Sequence, residues 1–258
     1  MIYFATDAGG IVPDDKLAVD ALAKLGIEVR PLVWGEKAEN VVIRSCWDYH
    51  RNRPAFEDWV RSTKTWNRAE TVLWNIDKKY LEEIASWGFA IPETLYLKAG
   101  SECSWSEFVA KPAVSLSGED TFRNDRKRLS SLLKTRDMLV QEYVPEIQDG
   151  ELSLIYLGGA YSHCVIKRPK RGEFRVQAEH GGRLEPYEPS RRQREEADRL
   201  LAKLGRLLYA RVDMVPSRGR LMIMEVELID PSLFLASAWG APERFARAIA
   251  DFIDSSHA

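Results

Sequence analysis

The chain has 258 residues, enough for one large domain or for two to three small ones. Hydrophobic residues make up 45% and charged residues 29%, an ordinary globular balance, and the net charge of −2 excludes a global basic field for nucleic acid. No apolar run is long enough to cross a bilayer and the first residues lack the features of a signal peptide, so we expect a cytoplasmic protein without membrane partners.

The first third of the chain predicts strands that alternate with helices. Short apolar runs at residues 2–6, 27–32 and 41–43 are typical of strands. A helix with an apolar stripe lies between the first two runs and ends at Gly26. This alternation indicates a parallel α/β layer.

The pattern changes near residue 74, where Asn75 is predicted to begin a helix as its N-cap. Strands at 108–111 and 138–141 enclose a Ser/Gly loop and a charged helix. From residue 142 strands dominate, apart from helices around 197–204 and 242–253. We therefore predict an α/β plus α+β protein with three units: an N-terminal parallel α/β substrate domain at 1–74, a small lid subdomain at 75–140 and an antiparallel-sheet body at 141–258.

Two apolar strands near the carboxyl end carry a set of acids. Glu225 and Glu227 share one face of their strand, as Arg211 and Asp213 do on theirs, because side chains alternate along a strand. An odd-length loop between the strands would put Asp213 on the face of both glutamates. Three carboxylates there favour a divalent cation such as Mg²⁺. A solvated outer face and a plain ion-pair network with Arg211 are the alternatives.

Four basic residues are candidates for anion contacts. Lys111 ends a predicted strand before a small-residue loop whose backbone N–H groups suit a phosphate. Lys78 lies in the first turn of a predicted helix, where the dipole disfavours a cation unless an anion is near. Arg168 and Arg175 flank a glycine-containing turn, and arginine presents a planar fork to carboxylate or phosphate. The alternative for the two lysines is a solvated surface cation.

The order of these motifs resembles the ATP-grasp superfamily, in particular bacterial glutathione synthetase and its amino-acid ligase relatives. The order is Asn-x-Asp-Lys, Val-x-Lys-Pro, Gln-Glu-Tyr-Val, an arginine-containing strand pair, Arg-x-Asp and Glu-x-Glu. Segments at 44–49, 111–115, 143–147, 167–169, 174–177 and 227–231 also resemble O-ureido-serine cyclo-ligase-like proteins of the cycloserine pathway. The resemblance covers nearly the whole chain and implies an ATP-grasp fold with a pre-ATP-grasp domain, a lid and a body.

The resemblance also implies a role for each site residue. Those that would bind ATP are Lys78, Lys111, Ser115, Ser117, Gly118, Gln141, Glu142, Tyr143, Val144 and Glu151. Those that would bind Mg²⁺ are Asp213, Glu225 and Glu227. The catalytic pair facing the γ-phosphate and the substrate carboxylate would be Arg168 and Arg175. The residues that would contact the substrate are Arg44, Ser45, Trp47, Asp48 and Gln177.

The implied activity is ADP-forming ligation of a small, amino-acid-like carboxylate to an amine through an acyl-phosphate. ATP and one or two Mg²⁺ ions, with Mn²⁺ as a substitute, would be required. The expected partners are small molecules and not nucleic acid, and a homo-oligomer is left open. An ATP-grasp kinase and a non-catalytic nucleotide-binding module are the alternatives. Eight tryptophans suggest a single-stranded nucleic-acid binder, but they do not cluster with the basic run at 167–175.

Overall fold

The structure is a computed structural model that describes residues 1–254. Its N-terminal layer is a parallel sheet, as predicted. Its strands, in the spatial order β2-β1-β3-β4, are β1 (Ile2–Thr6), β2 (Val29–Val33), β3 (Val41–Ser45) and β4 (Thr65–Trp66). Its helices are α1 (Pro13–Lys24), α2 (Arg53–Ser62) and α3 (Ala69–Ile76). All five residues of β3 are buried, which explains its continuous apolar run.

The middle of the chain forms a small antiparallel sheet with the order β5-β8-β6-β7. Its strands are β5 (Thr94–Leu97), β6 (Val109–Pro112), β7 (Phe122–Arg123) and β8 (Met138–Gln141). The accompanying helices are α4 (Tyr80–Ser86) and α5 (Arg126–Leu132). Phe108, Met138 and Val140 anchor a core that belongs to this unit alone, so the sheet forms a separate layer over the rest of the molecule.

The C-terminal part is a five-stranded antiparallel sheet with the order β11-β10-β9-β12-β13. Its strands are β9 (Glu151–Leu157), β10 (Ala160–Arg168), β11 (Arg183–Tyr187), β12 (Tyr209–Ser217) and β13 (Arg220–Glu227). Helix α6 (Arg191–Leu201) packs on one face, and α7 (Ala241–Asp254) packs with α1 on the other. Within residues 1–254, no helix combines the length and apolarity needed to cross a bilayer.

Asn75 does not cap a helix, contrary to the prediction. It lies in the last turn of α3, where its amide donates to the Val226 carbonyl and accepts from the Leu228 N–H, both at 2.8 Å. Helix α4 begins only at Tyr80, so Lys78 lies in the turn between two helices and not in a first helical turn. Asn75 therefore fixes β13 against α3 instead of starting a helix.

The division into three units stays a proposal. Two of its limits cut through regular secondary-structure elements. The limit at 74/75 falls inside α3, and the limit at 140/141 falls inside β8. The last unit, 141–258, also extends beyond the residues that the structure describes.

Candidate active site

A β-bulge brings the three acids of the β12–β13 hairpin to one face. The connecting turn is the two-residue pair Arg218 and Gly219, with positive φ angles of 51° and 72° that suit a tight hairpin. The register then shifts by one residue between Asp213 and Met214, so that Asp213 pairs with Glu225. Without the shift, Asp213 would pair with Met224, and the glutamate side chain would point to the other face. The bulge, and not an odd-length loop, places the acids together.

The grouped acids offer a set of oxygens that fits a divalent cation. Asp213, Glu225 and Glu227 each present one carboxylate oxygen, and these oxygens lie within 4.8 Å of one another. Asp213 is only 2% exposed, whereas the two glutamates are partly open to the cleft. Hard carboxylate oxygens with room for further oxygen ligands are what Mg²⁺ requires. The donor set is therefore compatible with Mg²⁺.

Built-in cations balance part of this negative charge. Arg211 Nη2 donates to Asp213 Oδ2 at 2.9 Å and also contacts Glu227. Lys167 Nζ lies 3.2 Å from Asp213 Oδ2, and Lys78 Nζ lies 3.2 Å from Glu225 Oε1. The ion-pair network around Arg211, which the sequence left as an alternative, therefore exists alongside the candidate cation site.

The acids differ in how readily they ionise. Burial raises the pKa of Glu227 to about 7, a rise that Arg211 opposes and that Glu225 and Asp213 increase. Burial also disfavours the charged form of Asp213, but Arg211 and Lys167 outweigh it and lower the pKa of Asp213 to about 2. The neighbouring cations thus balance the negative charge of Glu227 less well than that of Asp213, and an added cation would stabilise ionised Glu227.

Lys111 is a cation without a built-in partner. It lies in β6 and lines the same cleft as the acids. No described residue forms an ion pair or hydrogen bond with its Nζ, whereas Lys78 Nζ donates to the Ser115 carbonyl at 2.7 Å. Burial lowers the pKa of Lys111; Glu225 opposes the shift and Lys78 reinforces it. An ammonium held in a cleft without a counter-charge suits an anionic ligand.

The cleft, of about 320 Å³, is lined by most of the residues predicted from the sequence, and its volume is in the range of ligand pockets. The predicted residues that it brings together are Trp47, Lys78, Lys111, Ser115, Ser117, Gly118, Gln141, Glu142, Tyr143, Val144, Glu151, Arg175, Gln177, Asp213, Glu225 and Glu227. Their placement in one cleft is what an ATP and substrate site requires. Their individual roles stay predictions.

The segment after β8 forms one wall of the cleft. Gln141 is buried and donates to Thr94 Oγ1 at 3.0 Å. Glu142 pairs with Arg218 at 3.0 Å, and the Tyr143 ring lies under the Arg123 guanidinium. The side chains of Gln141, Glu142 and Tyr143 thus bind other residues of the protein. Apolar residues also line the cleft, namely Val109, Val144, Ile147, Leu184 and Met224.

The loop between β6 and β7 reaches two other parts of the molecule. A Cβ atom added to Gly118 would lie 3.3 Å from Gln177 Oε1, an oxygen that has no hydrogen-bond partner. Glu119 Oε2 lies 2.8 Å from His50 Nε2 in the N-terminal layer. Gly118 has a φ of +69°, so a larger residue would be both strained and crowded there. The loop therefore borders the cleft and contacts the N-terminal layer.

Arg168 is not among the residues that line the cleft, so the structure does not bring it together with the other predicted site residues, and its catalytic role stays a prediction. Its guanidinium binds Glu185 at 2.7 Å and the Asp149 carbonyl at 3.2 Å on the outer side of the sheet. The preceding residue, Lys167, points inward, where its Nζ lies 2.6 Å from Glu151 Oε2. Neighbours on a strand face opposite ways, so only one of the two could reach the cleft. Lys167 was missed, although this alternation could have identified it.

Arg44, Ser45 and Asp48 are likewise not among the cleft residues. Arg44 is 2% exposed and binds Asp15 Oδ1 at 3.0 Å and the Pro231 carbonyl at 2.8 Å. Asp48 accepts from the Trp34 indole at 2.6 Å. Ser45 is buried within β3. The structure therefore does not bring these three residues into the cleft, and their contact with substrate stays a prediction. Trp47, which is 42% exposed, does line the cleft.

Comparison with known proteins finds family matches in both the N-terminal layer and the rest of the chain. Residues 104–234 match the family described as prokaryotic glutathione synthetase, ATP-grasp domain, and residues 2–75 match the N-terminal domain of D-cycloserine synthetase DcsG. The cycloserine biosynthesis protein DcsG of Streptomyces lavendulae is 26% identical, with 97% of this chain and 98% of that protein aligned. Glutathione synthetase of Neisseria meningitidis is 30% identical over 50% of this chain, a match that spans only 42% of the synthetase.

Solved structures show the same fold. The crystal structure of D-cycloserine synthetase DcsG aligns with a TM-score of 0.84 at 24% identity, covering 98% of this chain and 99% of that one. D-alanine–D-alanine ligase of Bacillus anthracis, in its complex with ATP, aligns with a TM-score of 0.68 at 16% identity, over 100% and 99% of the two chains. The chain belongs to the ATP-grasp family, with an ATP-grasp domain of the prokaryotic glutathione synthetase type.

Proposed function

We propose that the protein is an ADP-forming ligase that joins a small carboxylate to an amine through an acyl-phosphate. One observation carries the proposal: the unpartnered Lys111 faces the same cleft as three carboxylates whose oxygens lie within 4.8 Å of one another. The three carboxylates can bind a divalent cation, and the Lys111 ammonium can contact phosphate oxygens. Together they suit the phosphates of a metal-bound nucleotide. Family membership supports the use of ATP and Mg²⁺.

Asp213, Glu225 and Glu227 would hold Mg²⁺, as one ion or two, and Mn²⁺ could take its place. When bound, the ion would neutralise charge on the transferred phosphate oxygens. Lys111 would contact the phosphates directly, and Lys78 would hold both the loop carbonyl of Ser115 and Glu225 in position. Val144, Met224 and the other apolar wall residues would contact the adenine.

In the first step, an oxygen of the substrate carboxylate attacks the γ-phosphorus, a new O–P bond forms, and ADP leaves with the electrons of the bond that breaks. This transfer depends mainly on positioning and charge neutralisation. Arg175 pairs with Glu173 at 2.7 Å at the cleft wall and would orient the carboxylate. Closure of the loop at Ser117 and Gly118 would exclude water, which would otherwise hydrolyse the acyl-phosphate.

In the second step, the nitrogen of the neutral amine attacks the acyl carbon and a C–N bond forms. The C–O bond to the phosphate then breaks, inorganic phosphate leaves with its electrons, and the nitrogen releases one proton. Cationic side chains in the cleft would stabilise the negative oxygen of the tetrahedral intermediate. The reacting molecules would be a small-molecule carboxylate and an amine. Whether they belong to one molecule or to two decides between ring closure and intermolecular ligation.

The first test is the thermal midpoint with and without Mg·ATP, for the wild type, for Glu225→Gln and for Glu195→Gln. Glu195 is an exposed acid on α6 that pairs with Arg191. A ligand at about 100 times its dissociation constant stabilises by about 2.7 kcal/mol. We expect this stabilisation in the wild type and in Glu195→Gln, and its loss in Glu225→Gln. No Mg·ATP-dependent shift in a folded wild type would contradict the proposal.

The second test separates a ligase from the two alternatives. Hydroxylamine should trap the acyl-phosphate as a hydroxamate in the presence of Mg·ATP and the correct acid. A stable phosphorylated product without hydroxamate would identify a kinase. Nucleotide binding without any ADP release, across a broad panel of acids and amines, would identify a binding module.

A further inference from the structure

Asp230 follows the three candidate metal ligands, Asp213, Glu225 and Glu227, along the chain but has different surroundings. It lies three residues beyond Glu227, lines the cleft and is 6% exposed. Its carboxyl group lies near the backbone of Cys46, where the N-terminal layer meets the body. It is not a member of the group formed by Asp213, Glu225 and Glu227.

Each of those three acids has a cation bound to it, and Asp230 has none. Arg211 contacts Asp213 and Glu227, and Lys78 contacts Glu225. Within residues 1–254 no lysine, arginine or histidine forms an ion pair with Asp230, and its Oδ2 has no hydrogen-bond partner. Burying a carboxylate oxygen without a donor costs free energy that a bound ligand can recover.

The neighbouring cleft surface suits a cationic group. Trp47, Tyr49 and Phe234 line the cleft together with Asp230. Aromatic faces attract ammonium groups, and an ammonium offers three N–H donors to a carboxylate. The cleft thus combines the unsatisfied carboxyl group of Asp230 with aromatic surface.

We infer that Asp230 is a specificity-determining residue whose carboxylate binds the ammonium group of an amine-bearing substrate. The inference rests on the proposed function and concerns the amine substrate as it binds, before its nitrogen loses the proton that must leave for it to attack the acyl carbon. It goes further by assigning a binding residue to the segment after β13 and by requiring a positively charged, primary amine in the bound substrate. A substrate without an ammonium group would gain nothing from this contact.

A buried water is the competing explanation. Arg44 Nη1 also lacks a hydrogen-bond partner. Burial raises the pKa of Asp230 to about 8, and Glu227 reinforces this rise while the charge of Arg44 opposes it. One water between the two groups would satisfy both without any ligand. In that case removing the charge of Asp230 would leave amine binding unchanged.

The test uses thermal midpoints of the full chain with Mg²⁺ and a non-hydrolysable ATP analogue. The probes are amino acids of both configurations and simple alkylamines, each paired with its deaminated counterpart. We expect at least one amine to stabilise the wild type, and its deaminated counterpart to bind at least tenfold more weakly. Asp230→Asn should weaken binding of the amine at least tenfold and leave the shift by the ATP analogue intact.

Glu146→Gln is the matched control, because Glu146 also has a carboxylate oxygen without a partner but does not line the cleft. Equal binding of the amine by Asp230→Asn and wild type would overturn the inference. So would equal binding of amine and deaminated counterpart by the wild type, a comparison that stands even if the variant does not fold. Binding of no amine by the wild type would also overturn it.

Failure of the proposed function gives a different pattern. In that case Mg·ATP itself produces no shift, whatever Asp230 does. The amine series is therefore repeated without nucleotide, so that the role of Asp230 is decided separately.

Discussion

Arg44 and Lys111 are two cations removed from bulk solvent, and their surroundings differ. Arg44 binds Asp15 and the Pro231 carbonyl, and its guanidinium lies 5.0 Å from the ring centre of Tyr209. Lys111 lies in the cleft with no partner among the described residues. A cation with internal partners holds the N-terminal layer to the body, whereas one without them is available to a ligand. Contacts, and not burial alone, separate the two roles.

The comparison predicts that Arg44→Ala has the largest effect on stability. Removing one partner of a buried ion pair leaves the other charge uncompensated, at a cost of about 3 to 5 kcal/mol. The free energy of unfolding in urea measures this loss. Arg30→Ala is the control, because Arg30 forms an exposed pair with Glu28 at 2.7 Å, and such pairs contribute at most about 1 kcal/mol. Equal losses in the two variants would refute the structural role of Arg44.

Lys111→Met should remove the response to ligand and leave the unliganded fold intact. The variant deletes a cation with no partner, so the free energy of unfolding without ligand should not decrease. Stabilisation by Mg·ATP, about 2.7 kcal/mol at 100 times the wild-type dissociation constant, should largely disappear. Lys79→Met, at an exposed lysine in the neighbouring turn, should keep it. A Lys111→Met protein that responds to Mg·ATP like the wild type would argue against a phosphate contact.

Glu227 and Glu225 should respond oppositely to pH when metal is chelated. The pKa of Glu227 is raised from 4.5 to about 7, chiefly by burial, so its destabilising effect develops between these values and is complete above them. Glu227→Gln should therefore gain about 1 to 3 kcal/mol relative to wild type between pH 4 and pH 8. Burial opposes ionisation of Glu225 too, but Lys78 and Lys111 lower its pKa below 4.5, so the stability that its charge contributes is complete above about pH 4.5 and is lost as the pH falls below that value. Glu225→Gln should therefore be less stable than wild type at pH 8, and the difference should shrink below about pH 4.5. Unfolding midpoints in EDTA measure both effects, and a loss of stability at pH 8 in Glu227→Gln or a gain in Glu225→Gln would contradict them.

Arg168→Ala should have the smallest effect. Its pair with Glu185 is exposed, so we expect a loss of at most about 1 kcal/mol and an unchanged rate of hydroxamate formation. Arg175→Ala, in the cleft wall, should slow that reaction at least tenfold. A slow Arg168→Ala enzyme with a normal Arg175→Ala enzyme would reverse the assignment.

Local patterns in the sequence predicted the elements well, because periodicity reports which face of a strand or helix is buried. Strands β1 and β8 have the predicted limits, and the parallel N-terminal layer is confirmed. Asn75 shows where such patterns fail. A residue that favours helix caps instead binds the backbone of a strand 151 residues away, at Val226. Propensity cannot foresee a partner so distant in the chain.

The sequence by itself determined which chemical groups this protein has and in what order: two lysines, an acidic hairpin and the strands that carry them. Only the tertiary structure decided which groups share the cleft. The bulge beside Asp213 pairs this residue with Glu225, so that both side chains lie on the same face of the sheet. The orientation of β10 turns Lys167 inward and Arg168 outward. A shift of one residue reverses the face of every side chain on a strand. Register is therefore set by packing between strands, which no single segment of the sequence encodes.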